Sequence, residues 1–375
     1  MSHRADDLRG VSKLAVEGID AITTLVEEMH TTIGGGPAVL GTPLRRPTRL
    51  MAGPIYNTIR GLNRATGIGI DAALKRFEAA LGQWPLSRQR EALISALNGV
   101  LGDHLEASAN PLALELCFRR HGMTLSVGSK EALRKVLPDA TNRLLVMVHG
   151  SSMNDIQWLR HEHDHGAALQ RNLGFSTVYL RYNSGRHISL NGEELATEMQ
   201  ALMSNWPIPI EQIGIIGHSM GGLVTRSACW YAEQMSLPWL QALRSLVFLG
   251  TPHHGARSEQ AGNWVDLLLG ISRYSAPFKR LSRIRSAGVT DLRFGNIIED
   301  HWRDRDRFDL EFDRREPIPL PRGVESFAVA GQLGDGRERG DGLVSVASAH
   351  GRHRRTELCL DFPERRTLTV FGVGH

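Results

Sequence analysis

The signals that mark several protein classes are missing from this chain of 375 residues. Cysteine is scarce. Cys117, Cys229 and Cys359 are odd in number and scattered, and their spacing fits neither a disulfide framework nor a zinc site. Buried, reduced thiols are the expectation, and they suit the cytoplasm. No charge of one sign dominates: 44 Lys and Arg against 40 Asp and Glu leave a formal +4. Arg303-Asp304-Arg305-Asp306-Arg307 alternates its signs, as a solvated face does, so no nucleic-acid partner is expected. No window approaches the ~20 apolar residues that span a bilayer. The opening Met-Ser-His-Arg-Ala-Asp-Asp lacks the apolar core of a secretory signal. Internal repeats and low-complexity tracts are absent too. What remains is an ordinary globular composition, long enough for one large domain and an appendage.

The first third is helical in pattern and carries no recognisable chemistry. Leu14, Ile19, Ile22, Leu25, Val26 and Met29 form an apolar stripe over residues 8–32. Further helical patterns run from about Tyr56 to Leu81 and, after Trp84-Pro85, from about Ser87 to Leu101. Gly34-Gly35-Gly36-Pro37 separates the first two. Residues 1–109 therefore read as a helical N-terminal extension packed on the main domain. The long stripes also raise peripheral membrane contact or oligomerisation, so the expected location is cytoplasmic with membrane association as the alternative.

From about residue 110 strands alternate with helices. Leu112–Arg119 and Met123–Val127 flank His121-Gly122 as a hairpin. Ser129–Leu137 reads as a short helix capped by Ser129. Arg143–Val148 is a continuous apolar run, as in a strand buried on both faces. A helix over about Asp155–Asn172, a strand over Thr177–Tyr182 and a helix from Asn191 to Trp206, capped by Asn191, follow. Further strands are expected over Gln212–Ile216, Leu243–Leu249, Ser326–Ala330 and Thr367–Phe371. This rhythm predicts an α/β domain over 110–375, a mostly parallel central sheet with helices on both faces.

One stretch carries the chemistry. Gly217-His218-Ser219-Met220-Gly221-Gly222 sits directly between the strand ending at Ile216 and a helical run through Leu223, Val224, Ala228 and Tyr231. With 39 glycines an isolated G-x-S-x-G would mean little; in this setting it reads as a nucleophile elbow. Glycines flank the serine because larger side chains would collide across so sharp a turn, and the turn aims helix amides at developing negative charge. Serine needs a base and an orienting carboxylate, which in this architecture follow in the order serine, acid, histidine on loops after later strands. Asp341, in Gly340-Asp341-Gly342-Leu343-Val344-Ser345, and His375, after Thr367–Phe371, hold those positions. Asp335, in Gly334-Asp335-Gly336, competes with Asp341, but the apolar run after Asp341 would lock its loop. Val148-His149-Gly150-Ser151 ends a central strand in a turn that can bring the Ser151 amide beside that of Met220 as an oxyanion hole, with His149 a structural hydrogen-bonder beneath it.

Gly-His-Ser-Met-Gly-Gly, the upstream Val-His-Gly, Leu249-Gly250-Thr251-Pro252-His253-His254-Gly255 and Asp341-Gly342-Leu343-Val344-Ser345 together resemble bacterial lipases and esterases of the α/β-hydrolase fold, including the GPI-inositol-deacylase-like group. The resemblance covers about residues 140–375. It implies Ser219, Asp341 and His375 as the catalytic triad, Ser151 and Met220 as oxyanion donors, a carboxylic ester substrate that is often lipid-like, and no organic cofactor. It also implies that some members hold a structural calcium or zinc. In that family the chain usually continues past the histidine, whereas here His375 is the last residue and its α-carboxylate would put negative charge beside the ring. A truncated sequence is therefore expected, with His350 and His353 as alternative bases.

Two further segments tempt a reading. His161-Glu162-His163-Asp164-His165 would place His161 and His165 on one helical face, but a metal would need two more ligands, and no metal site is expected. Residues 253–322 are too long for a bare connection, and Trp264, Val265, Leu267, Leu268 and Leu269 make an apolar patch there. A lid over the serine is the expectation, with an ordinary helical excursion as the alternative. The sequence thus predicts a serine hydrolase cleaving carboxylic esters. Acyl transfer by the same triad, or an inactive hydrolase scaffold used for binding, is the alternative.

Overall fold

In the computed structural model the described residues are 88–160, 163–255, 286–304, 313, 315–334 and 340–375. The helices expected over 8–32 and 56–81, the Trp264–Leu269 patch and most of the lid, Asp335 and His161 lie outside them.

The centre of the fold is β3 (Arg143–Val148), whose near-continuous apolar sequence reflects burial on both faces. Leu144, Val146 and Val148 point into the main core, and Leu145 and Met147 into a smaller one with Phe175. Ahead of β3 come α1 (Arg88–Ala107), a hairpin of β1 (Cys117–Arg120) and β2 (Met123–Thr124), and α2 (Lys130–Val136). The hairpin forms as expected with shorter strands; His121 and Gly122 turn it at φ 50° and 76°. Ser129 caps α2 by accepting from the Ala132 amide.

After β3 lie a short hairpin of β4 (Leu159–Arg160) and β5 (His163–Asp164), α3 (His165–Leu173), β6 (Ser176–Arg181) and α4 (Ile188–Asn205). Then follow β7 (Gln212–His218), α5 (Met220–Gln234), α6 (Trp239–Ala242), β8 (Leu243–Leu249), α7 (Ala287–Asp291), β9 (Glu325–Gln332), α8 (Val346–Ala349) and β10 (Thr367–Phe371). The strands form one sheet of order β10-β9-β8-β7-β3-β6-β1-β2. β3, β6, β7, β8, β9 and β10 run parallel, and β1 runs antiparallel to β6. Helices α4 and α5 cover one face through Leu195, Met199, Leu202, Leu223, Val224 and Ala228, while Leu169 of α3 packs on the other.

Two local expectations are corrected. The helix drawn over Asp155–Asn172 is broken in two. Asn154 closes a capping box with Gln157 over a single 3₁₀ turn at Asp155–Trp158, the β4–β5 hairpin intervenes, and Asp164 restarts the chain as cap of α3. Tyr179 donates to the Asp164 carboxylate at 2.6 Å and holds that restart. His163 and His165 therefore do not share a helix, their rings meeting edge to face at 4.8 Å. Asn191 is not the cap of α4. It is buried within the helix and donates to the Asn183 carbonyl at 2.9 Å, while Asp291 caps from a distant segment by accepting from the Ile188 amide at 2.8 Å.

Helix α1 belongs to the same core as the sheet: Ile94, Leu97, Val100, Leu101 and Leu105 are all within the main cluster. Among the described residues no helix is long and apolar enough to cross a membrane.

Candidate active site

The chain leaves β3 for β6 on one side and then crosses to β7 on the other, so the strand order switches direction at β3. Open α/β sheets bind ligands in the crevice outside the carboxyl ends of their strands at such a switch. Ser151 follows β3 there, and Ser219 follows β7.

Ser219 has φ 53° and ψ −124°, a positive-φ backbone that a residue with a side chain adopts only when its surroundings enforce it. They do so from three sides. The Ser219 amide donates to the Leu249 carbonyl of β8 at 2.8 Å, and the Ser219 carbonyl accepts from the Gly222 amide at 3.1 Å. A Cβ on Gly217 would lie 2.7 Å from the Gly222 backbone, and one on Gly221 would lie 2.4 Å from the His149 carbonyl oxygen. The serine side chain thus stands at the start of α5, whose first amide is that of Met220. The first amides of a helix have no acceptor within it.

Asp341 and His375 come together as a pair. The carboxylate Oδ2 accepts from His375 Nδ1 at 2.7 Å, and Oδ1 accepts from the amides of Val344 and Leu343 at 2.8 and 2.9 Å. The His375 amide donates to the Asp341 carbonyl at 3.1 Å. Both side chains are buried, at 5% exposure for His375 and 3% for Asp341. Burial alone would raise the Asp341 pKa. The His375 hydrogen bond and charge, with the two amides, outweigh it and hold the carboxyl below its ordinary value. Because Nδ1 donates to Asp341, Nε2 carries the lone pair; it is buried and makes no hydrogen bond to a described residue.

The pair lies against the elbow. The rings of His375 and His218 are 5.0 Å apart between centroids. A Cβ on Gly250, next to the Leu249 that receives the Ser219 amide, would sit 3.2 Å from Asp341 Oδ2 and 3.3 Å from the His375 ring. In this conformation Ser219 Oγ and His375 Nε2 are not hydrogen-bonded, a separation that unliganded hydrolytic sites commonly show.

Gly150 brings the loop after β3 over the serine. A Cβ there would lie 3.1 Å from the Ser219 Cβ and 3.0 Å from His218 Nδ1. Beneath the loop, His149 stacks on Tyr182 with centroids 4.3 Å apart, contacts the Gly150 carbonyl through Nδ1 at 2.8 Å, and accepts from the Tyr182 hydroxyl at its own carbonyl. Burial pushes the His149 pKa down to about 4, so the ring is a neutral hydrogen-bonding post, as the sequence predicts.

The other histidines are occupied elsewhere. His350 Nε2 contacts the Leu368 carbonyl at 3.2 Å, and His353 Nδ1 accepts from the Arg355 amide at 3.1 Å. His253 is fully buried, edge-on to Phe248 at 4.9 Å and 3.5 Å from the Arg226 guanidinium, which makes it part of the loop packing. Among the described residues no group of three or more His, Cys, Asp or Glu could hold a metal. A cavity of about 310 Å³ lies beside the elbow on the α3 side, walled by Met147, Met153, Trp158, Leu169, Ile216 and Leu249, with His218 at its edge.

Several supporting residues escape the sequence reading. Ser152 has φ 58° and donates its amide to Ser184 Oγ at 2.9 Å; Asn183, Ser184 and Gly185 form the turn after β6 that meets α1. The Asn-Ser-Gly run after Tyr182 was a visible turn signal, but nothing local tied it to the loop after β3.

Residues 139–311 match the PGAP1-like alpha/beta domain family. The match takes in the loop after β3 and the elbow and ends before Asp341 and His375. No curated protein matches the chain. Among solved structures, the chain is similar to a Bacillus licheniformis lipase, BlEst2 (16% identity, 61% of this chain and 84% of that one, TM-score 0.36). It is similar also to a lipase-esterase related protein from Clostridium acetobutylicum (14%, 62% and 86%, TM-score 0.32) and to the Pyrococcus furiosus esterase PF2001 (13%, 63% and 75%, TM-score 0.35). The sheet order, the elbow after β7 and the family match define an α/β-hydrolase fold, in agreement with the resemblance read from the motifs.

Proposed function

We propose that the protein is a serine hydrolase that cleaves carboxylic esters through an acyl-enzyme. The observation that carries this reading is the buried Asp341–His375 pair, with its free Nε2 turned to the strained serine of the elbow. His375 takes the proton of Ser219 as the hydroxyl attacks the ester carbonyl. Asp341 fixes the ring with Nδ1 protonated and balances the imidazolium that forms. The amides of Ser151 and Met220 receive the oxyanion, each such donor being worth about 3–4 kcal/mol of barrier. His375 returns its proton to the departing alcohol, and water, activated by the same ring, releases the acid. The apolar cavity beside the elbow is at the small end of ligand pockets, about 300–1,000 Å³, and suits an acyl chain of modest length. An apolar acyl group makes lipid-like esters the favoured substrate class.

The test is hydrolysis of a series of p-nitrophenyl esters of increasing acyl length by the protein and by Ser219→Ala. The expected result is turnover that Ser219→Ala lowers by at least about 10³-fold. Turnover that survives the substitution, or a folded protein that cleaves none of the esters, overturns the proposal. Product analysis with an added alcohol separates hydrolysis from acyl transfer.

A further inference from the structure

Helix α1 lies outside every motif of the site, yet it touches the loop that carries one of the two proposed oxyanion amides. The contact is backbone against backbone. A Cβ built on Gly99 would lie 2.0 Å from Ser152 Oγ, 2.8 Å from its Cβ and 2.9 Å from its Cα. Rotating the serine side chain would clear the first contact only; Cβ and Cα stay where the chain puts them. Ser152 directly follows Ser151, and it is held at φ 58° with its amide tied to Ser184 Oγ at 2.9 Å.

The helix is pinned where it crosses. A Cβ on Gly102 would meet Asn183 Oδ1 at 1.8 Å, and one on Gly185 would meet the Asn98 carbonyl oxygen at 2.2 Å. Asn183 Nδ2 donates to the Gly102 carbonyl at 2.9 Å, and Ser286 Oγ donates to the Gly99 carbonyl at 2.7 Å. Asn98 bridges to the Leu112 carbonyl and the Leu114 amide, and Arg119 pairs with Glu91. A helix held at this many points on several sides is stiffer than a four-residue loop at a strand end.

We propose that Gly99 is a positioning residue: by letting α1 approach to contact, it fixes Ser152 and through it the Ser151 amide of the oxyanion hole. This rests on the serine-hydrolase reading above. A methyl group on Gly99 must displace the Ser152 backbone by about 0.6 Å to restore a carbon–carbon contact of ~3.5 Å. Misplacing a catalytic group by about 1 Å can cost on the order of 10²-fold.

The experiment compares the full chain with Gly99→Ala, Ser152→Gly and the double variant, reading kcat and KM separately on one p-nitrophenyl ester and the urea midpoint of each. Gly99→Ala is expected to lower kcat about 10–100-fold with KM within about 2-fold. Ser152→Gly removes the crowded side chain and tolerates the positive φ, so the double variant is expected within about 3-fold of Ser152→Gly alone. Unchanged kcat in Gly99→Ala, or a loss that Ser152→Gly does not relieve, overturns the proposal. If the unsubstituted protein hydrolyses no ester, the serine-hydrolase reading itself has failed; an active protein indifferent to Gly99→Ala refutes only the role of α1.

Discussion

Replacing Gly221 by alanine tests whether the elbow is held by backbone contact. In a helix, alanine is ordinarily favoured over glycine by up to about 1 kcal/mol. Here the added Cβ would sit 2.4 Å from the His149 carbonyl oxygen and 2.5 Å from that of Val148, both at the end of the central strand. Carbon–oxygen contacts of this kind settle near about 3.3 Å, so α5 and β3 must separate by about 0.9 Å. Neither partner is a side chain that can swing away. Overpacking on this scale costs about 1–3 kcal/mol, which outweighs the helix preference and leaves a net loss of about 1–2 kcal/mol. The same movement carries the Met220 amide and Ser219 away from the loop after β3, for a rate loss on the order of 10²-fold. Urea unfolding measures the first effect and ester turnover the second. Gly128→Ala is the control, since a Cβ there meets nothing within 4 Å. A Gly221→Ala protein as stable and as active as the Gly128→Ala control would refute this account of the turn.

Two further outcomes follow from the electrostatics. Asp341→Asn keeps the shape of the acid but turns it into a weaker partner that favours the wrong ring tautomer, and kcat is expected to fall about 10³–10⁴-fold in steady-state assays with the fold intact by circular dichroism; a loss below about 10-fold contradicts the role given to Asp341. His149, His253 and His254 are held neutral in the fold, chiefly by burial, with pKa about 4 for His149, about 3 for His254 and well below the ordinary 6.5 for His253. In the unfolded chain they take up protons near 6.5, so the stability they contribute is present above that pH and is lost as pH falls from 6.5 towards about 4. Three such groups give a slope approaching about 4 kcal/mol per pH unit. Urea unfolding at pH 7, 6 and 5 checks it, and a stability flat across that range contradicts the neutral state of these rings.

How much of this could be read from the sequence depended on how local the controlling interactions were. Arg143–Val148, Leu243–Leu249 and Thr367–Phe371 have the bounds expected of them, because strands buried in a parallel sheet are written as compact apolar runs. The elbow was legible because its glycines are demanded by contacts within six residues of one another. The Asp341–His375 pairing was legible only through the order of strands and loops that the fold imposes. The segment 155–172 was misread because its apolar positions fit a helix, while the Asn154 capping box and the Tyr179–Asp164 hydrogen bond break it in two. The cap of α4 was misread because it comes from Asp291, over a hundred residues away. The approach of α1 to Ser152 had no sequence signature at all beyond Gly99 and Gly102, which in isolation look like weak points of a helix.

The most direct measurement is the intact mass of the protein after exposure to a fluorophosphonate, which phosphonylates an activated serine with loss of fluoride. The account predicts a single adduct, mapped by peptide mass to Ser219, absent from Ser219→Ala and strongly slowed in His375→Ala. An adduct on another residue, or a folded protein that takes none, would contradict it.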